Sequence, residues 1–184
     1  MVEDLVISSE DAVTINENRI AVAIGSNFIL EVNILDKIII YTDGACSNNQ
    51  SAVNYGGYGA VLIFKDNIKE IYGGEKNTTN NIMELTAIIK ALESLKRRDI
   101  PVNVYSDSAY IVNCINNKWY INWRRNGWIT SKKTPVENRE LWEKLLSLIE
   151  HIDNFEIIKV KGHAGDKYNE LADELARRGA NEVK

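Results

Sequence analysis

Lys37-Ile-Ile-Ile-Tyr-Thr-Asp43-Gly44 is a run of strand-forming residues that ends on a carboxylate followed by glycine. A second run, Val102-Asn-Val-Tyr-Ser-Asp107-Ser108, repeats the design. A carboxylate at the end of a buried strand is costly unless its charge is compensated. If the two strands are neighbours in one sheet, both acids aim at one place. Two further acids sit in helical contexts: Glu84 in Asn80-Asn-Ile-Met-Glu84-Leu and Asp173 in Asn169-Glu-Leu-Ala-Asp173-Glu-Leu-Ala. Taken singly, each reads as a solvated charge or a cap, and Asp107-Ser108 has the composition of a helix start. Converging, they would repel one another, and a divalent cation is the natural remedy. Hard oxygen ligands of this kind suit magnesium.

Outward from these runs the punctuation is regular. Strands are expected at Lys37–Thr42, Tyr58–Phe64 and Ile68–Tyr72, joined by glycine-rich turns, which makes them consecutive and antiparallel. Ile82, Leu85, Ile88, Ile89, Leu92 and Leu95 then recur at helical spacing. Pro101 precedes a strand at Val102–Tyr105, and helices are expected at Ser108–Asn116 and Glu137–Ile152. A last strand, Phe155–Val160, leads into a last helix, Asn169–Arg178. This order predicts an α/β fold, a mixed five-stranded sheet with helices on both faces.

The blocks that carry the acids, read in order, resemble the type 1 ribonucleases H. They are Tyr41-Thr-Asp43-Gly-Ala-Cys, Gly56-Gly-Tyr-Gly-Ala, Thr78-Thr-Asn-Asn-Ile-Met-Glu84-Leu, Tyr105-Ser-Asp107-Ser and Lys161-Gly-His163-Ala-Gly, with Asp173 ten residues after His163. The resemblance runs from Lys37 to the C-terminus. It implies a ribonuclease H-like fold of bacterial type with a basic protrusion, and cleavage of the RNA strand of RNA–DNA hybrids by two-metal-ion catalysis. The expected products carry 5′-phosphate and 3′-hydroxyl ends. It also implies two Mg2+ ions, with Mn2+ as a substitute. Asp43 would bridge both, Glu84 and Asp107 would hold the leaving-group ion, and Asp173 the ion on the nucleophile side. His163, in a glycine-flanked loop, would assist by moving a proton, as an imidazole can near neutral pH. His151 is read as structural.

Substrate contacts follow from the same resemblance. Asn49, Asn80 and Asn81 would face the RNA strand, whose 2′-hydroxyl distinguishes it from DNA and suits an amide that both donates and accepts. Thr79 and Asn138 would grip a phosphate of the DNA strand. Ser47-Asn-Asn-Gln lacks a proline common there in bacterial relatives, and Ile82 replaces a residue that is often basic. Ser108 to Val136 contains no acid, but holds Lys118, Arg124, Arg125, Lys132 and Lys133 among Trp119, Tyr120, Trp123 and Trp128. Cations with flat aromatics suit sequence-indifferent nucleic-acid binding. Trp119, Trp123, Arg124 and Arg125 are the expected contacts. A helical hairpin with inward tryptophans is the alternative, and a mixture of the two is expected.

The 184-residue chain suits one domain with a small appendage. Its net charge of −4 conceals an asymmetry. Residues 1–36 hold seven of the 26 acids and one of the 22 bases, which leaves 19 acids against 21 bases in residues 37–184, a net of +2. Residues 37–184 are the expected catalytic domain. Residues 1–36 are an acidic extension in which Arg19–Ile24 and Phe28–Leu35, joined through Gly25-Ser-Asn, suggest a β-hairpin. Extending the sheet, dimerisation and binding a replication partner all stay open for it. No apolar run approaches the ~20 residues that span a bilayer, and no secretion signal is evident. With Cys46 and Cys114 as its only cysteines, the chain fits a cytoplasmic or other reducing compartment. No protein partner is inferred, and a monomer is expected.

Three other activities compete. A ribonuclease H domain released from a reverse transcriptase would share the chemistry, but no polymerase motif accompanies it and Met1 suggests a complete product. A hybrid-binding adaptor without catalysis is disfavoured by the full acid set. A two-metal nuclease or integrase acting on DNA would be separated by comparing substrates.

Overall fold

The computed structural model describes residues 36–47, 53–162 and 164–184, together with the strands at 12–16, 19–24 and 28–33. Asn49, His163 and the Gly25-Ser-Asn turn lie outside the described residues. The chain divides into two compact units, residues 1–36 and 37–184.

The first unit carries a three-stranded antiparallel sheet, β1 (Ala12–Asn16), β2 (Arg19–Ile24) and β3 (Phe28–Asn33), in the order β1-β2-β3. The expected hairpin is β2 with β3, paired from Arg19 with Asn33 to Ile24 with Phe28. The third strand, β1, is an addition. Its Ala-Val-Thr-Ile-Asn is too short for alternation to stand out in the sequence.

The second unit is a five-stranded sheet with helices against both faces. Its strands are β4 (Ile38–Cys46), β5 (Tyr55–Phe64), β6 (Asn67–Lys76), β7 (Val102–Ser106) and β8 (Phe155–Lys159), in the order β6-β5-β4-β7-β8. β4, β5 and β6 are antiparallel neighbours, whereas β7 and β8 run parallel to β4. The helices are α1 (Asn80–Glu93), α2 (Ala109–Asn116), α3 (Trp119–Arg125), α4 (Arg139–Ile149) and α5 (Lys167–Glu182). The expected mixed sheet and its strand directions are those observed. Most element bounds differ by a few residues from those expected, β6 and α5 each running four residues further at the C-terminal end. β4 continues three residues beyond Asp43, because Asp43, Gly44, Ala45 and Cys46 each find a partner on β5. The helix α3, Trp-Tyr-Ile-Asn-Trp-Arg-Arg, is too short for a helical period to stand out in the sequence.

Pleat alternation explains the layering. Ile38 and Ile40 of β4, Ala60 and Leu62 of β5, and Val102 and Val104 of β7 join one core with Leu85, Ile88 and Leu92 of α1. Trp142 and Leu145 of α4, both fully buried, complete it. The opposite sheet face packs against α5 through Val61, Ala172 and Leu175. That second layer is unusually close. A Cβ at Gly57 or Gly59 would collide with the backbone of α5 at Ala176 or Ala172, so only glycine lets β5 and α5 approach this far. The approach brings Asp173 on α5 to the end of β4.

Candidate metal centre and nucleic-acid groove

β4 and β7 are parallel neighbours with Thr42 opposite Ser106, so Asp43 and Asp107 follow side by side where the pairing of the two strands ends. Glu84 reaches them from α1. This helix is capped by the Thr79 hydroxyl, which accepts from Ile82 N–H at 3.3 Å. Gly44 allows the helix in: a Cβ there would strike the backbone at Glu84. One carboxylate oxygen each from Asp43, Glu84 and Asp107 lies within 4.8 Å of the others. Asp173 stands beside them, its carboxyl in hydrogen-bonding reach of Asp43. Asp173 also forms an ion pair with Arg177, one helical turn along α5, at 2.8 Å.

The electrostatics record the crowding. Burial, then the charge of Asp107, pushes Asp43 up to about 7; the Gly44 N–H, which donates to Asp43 Oδ1 at 2.7 Å, acts the other way. Glu84 lies well above the ordinary carboxyl range, first through burial and then through the charges of Asp43 and Asp107. Lys159 and the Gly44 N–H oppose that rise. Glu84 Oε2 is buried without a hydrogen-bond partner. A buried carboxylate oxygen left without a donor, among acids that repel one another, fits a site for a hard cation.

Beside the acids, Cys46, Asn54, Thr78, Thr79, Asn80 and Asn81 line a groove of about 280 Å3. Thr79, Asn80 and Asn81 are exposed at the start of α1. Farther out, α2, α3 and the segment up to α4 frame a second groove of about 680 Å3, lined among others by Trp119, Asn122, Trp123 and Lys132.

The sequence-matched family is RNase H, whose model covers residues 36–181. The chain belongs to the ribonuclease H family of enzymes. Relatives named ribonuclease H include one from Clostridium botulinum, 47% identical over 148 residues, or 80% of this chain and 98% of that one. Another, from Caldanaerobacter subterraneus subsp. tengcongensis, is 53% identical over 74% of this chain and 86% of its own. Among solved structures, a type 1 RNase H with the type 2 active-site motif superposes with a TM-score of 0.70 at 28% identity, over 82% of this chain and 74% of that one. The LC11-RNase H1 chain, crystallised with an RNA/DNA hybrid, gives 0.60 at 27% identity, over 79% and 98%.

Within this family fold, the residues of the basic segment divide. Trp119 is 39% exposed at the groove, whereas Trp123 is 8% exposed and stacks edge-on against Trp142 at 5.5 Å. Trp123 is thus packed into the core while also lining the groove, and Trp119 stands at the surface, the mixture expected of this segment. Arg124 is exposed but tied to Glu150 at 2.5 Å and lies over the Tyr120 ring. Arg125 is exposed. Asn138, half-buried, takes a left-handed conformation with φ 56° just before α4.

Three residues near the site escaped the sequence reading. Lys159, at the end of β8, donates to the Asp107 carbonyl at 2.8 Å. Arg177 stands four residues after Asp173, a spacing that does signal a helical pair. Asn54 has no motif to mark it, and its role emerges only from its partners.

Proposed function

We propose that the chain is an endonuclease that hydrolyses the RNA strand of RNA–DNA hybrids by two-metal-ion catalysis, leaving 5′-phosphate and 3′-hydroxyl ends. The observation that carries this reading is the convergence of Asp43, Glu84 and Asp107 around an unsatisfied Glu84 oxygen, in a chain of the ribonuclease H family. The relative in complex with an RNA/DNA hybrid supports the substrate.

Asp43, with acids on both sides, would help to hold both of two Mg2+ ions, with Mn2+ as a substitute. Glu84 and Asp107 would complete the leaving-group position and Asp173 the nucleophile position. When bound, such ions activate a water and neutralise the departing 3′ oxygen. The chain's own residues do the rest. Asn80 and Asn81, exposed at the groove, offer amides to the ribose hydroxyls of the RNA strand, together with Asn49. Thr79 and Asn138 hold a phosphate of the DNA strand, and Trp119, Arg124 and Arg125 extend the hold along the duplex. His163 moves a proton during water attack or product release. These contacts reach sugars and phosphates, so little sequence preference is expected.

All four carboxylates come from one chain, which supports action as a monomer. The free thiols Cys46 and Cys114 support a reducing compartment. Among the described residues, no helix is long and apolar enough to cross a membrane. The test is cleavage of an end-labelled hybrid, an RNA duplex and a DNA duplex at fixed salt, with magnesium and with chelator. Only the hybrid should be cut, in its RNA strand and only with magnesium. Cutting of DNA alone, or activity in chelator, would sink the reading.

A further inference from the structure

We infer that Asn54 is the positioning residue of the groove beside the acids: its amide clamps Thr78 and so fixes where Asn80 and Asn81 stand against the end of β4. The inference rests on the hybrid-cleaving reading and assigns that reading one more residue.

The clamp has two sides. Asn54 Nδ2 donates to the Thr78 carbonyl at 3.0 Å, and Asn54 Oδ1 accepts from the Thr78 N–H at 2.9 Å. The Asn54 carbonyl adds a third bond, from the Asn77 N–H at 2.9 Å. A primary amide is the short side chain that carries a donor and an acceptor side by side, so it can satisfy both polar groups of one backbone residue. The Thr78 carbonyl also receives the Cys46 thiol at 3.5 Å, which links the clamp to the last residue of β4.

Asn54 is itself held. The next residue, Tyr55, exchanges three bonds with Ser47: Ser47 N–H to Tyr55 carbonyl at 2.8 Å, and the Ser47 hydroxyl with both Tyr55 backbone groups at 3.1 Å. Ser47 and Tyr55 are thereby tied to each other, and Asn54 carries this hold to the junction between β6 and α1. That junction needs holding. Asn77 turns the chain through a left-handed φ of 55°, and helix α1 begins only three residues later, at Asn80. Asn54 lines the same groove as Thr79, Asn80 and Asn81. A slackened clamp would displace both amides together relative to the acids, and misplacement on the ångström scale is costly to a positioned contact.

The experiment compares the full-length wild type with Asn54→Ala and Asn54→Asp. It reads KM and kcat on a hybrid, the preference for hybrid over DNA duplex in competition binding, and magnesium affinity by calorimetry. Losing both amide bonds should raise KM about tenfold and lower the hybrid preference by a similar factor. The value of kcat should stay within about twofold, and magnesium affinity should not change, because the acids keep their own supports. Asn54→Asp retains the acceptor for the Thr78 N–H but cannot donate to its carbonyl when ionised, so it should show the same loss of preference. An aspartate variant equal to wild type would overturn the two-sided clamp. So would an alanine variant with KM and preference unchanged, or one that loses kcat and magnesium affinity together with them, which is the mark of a generally loosened fold. Failure of the wild type to cut a hybrid at all would instead sink the functional reading.

Discussion

Arg177 forms an ion pair with Asp173 at 2.8 Å across one turn of α5, and the same Asp173 carboxyl lies within hydrogen-bonding reach of Asp43. The guanidinium thus occupies, electrostatically, part of the role a bound cation would take. Removing it subtracts a positive charge from beside Asp173. Exposed pairs of this kind are worth about 0–1 kcal/mol. Arg177→Gln should therefore tighten magnesium binding by no more than about fivefold, measured by titration calorimetry. Weaker binding would mean that Arg177 orients Asp173 for the ion rather than competing with it.

Asp43 has the most demanding position of the four acids, pressed by Asp107 and Asp173 and buried on the central strand of the sheet. Asp43→Asn keeps its shape and removes its charge. Cleavage of a hybrid in magnesium should disappear, while hybrid binding in a filter or polarisation assay stays within a few-fold of wild type. Surviving cleavage would show that the bridging role belongs elsewhere.

The same crowding predicts how the metal-free protein responds to pH. Asp43 is raised from 3.8 to about 7, so the folded chain holds this proton more tightly than the unfolded chain does. Its stabilising contribution is complete below about pH 4 and is lost as the pH rises through about 7. In chelator, the melting temperature should fall between pH 5 and pH 8, and Glu84, raised by the same causes, adds to the slope. Magnesium should recover the loss at pH 8. Asp43→Asn in chelator should flatten much of the slope, and an unchanged slope would place its origin in other groups.

What could be read from sequence followed the strength of the local signal. The parallel pair β4 and β7 announced itself as two apolar runs with the same acid ending, and the placement of Asp43 beside Asp107 follows from that pairing. Glu84 was legible as part of an amphipathic helix. The β5 glycines were visible as a cluster, but their meaning was not, since only the fold shows α5 lying where a Cβ would be. Asn54 and Lys159 were silent because each acts on a backbone carbonyl distant in sequence, and such a bond leaves no pattern. Trp119 and Trp123, four residues apart in one helix, looked alike in composition, and burial alone separates them.

In the proposed reaction His163 would move a proton rather than bind an ion. His163→Ala should then lower turnover on a hybrid by about 100-fold or more, without abolishing it, while leaving magnesium affinity unchanged. A rate equal to wild type would remove the residue from the mechanism, and a lost metal affinity would recast it as a ligand.

The two tryptophans of α3 allow a sharper separation of binding from folding. Trp123 is packed between Trp128, at 6.1 Å, and Trp142, at 5.5 Å, in the larger core. Trp123→Ala should cost about 3–5 kcal/mol of stability, read from denaturant midpoints. Trp119, 39% exposed at the larger groove, has little packing to lose. Trp119→Ala should leave the midpoint almost unmoved but weaken hybrid binding by roughly 5–100-fold, the loss expected when an aromatic surface of about 1–3 kcal/mol is removed. The loss should persist at high salt, unlike that of Arg125→Ala, whose proposed phosphate contact would be screened as salt rises. A Trp119→Ala variant that binds as wild type would confine the hold on the duplex to the cations.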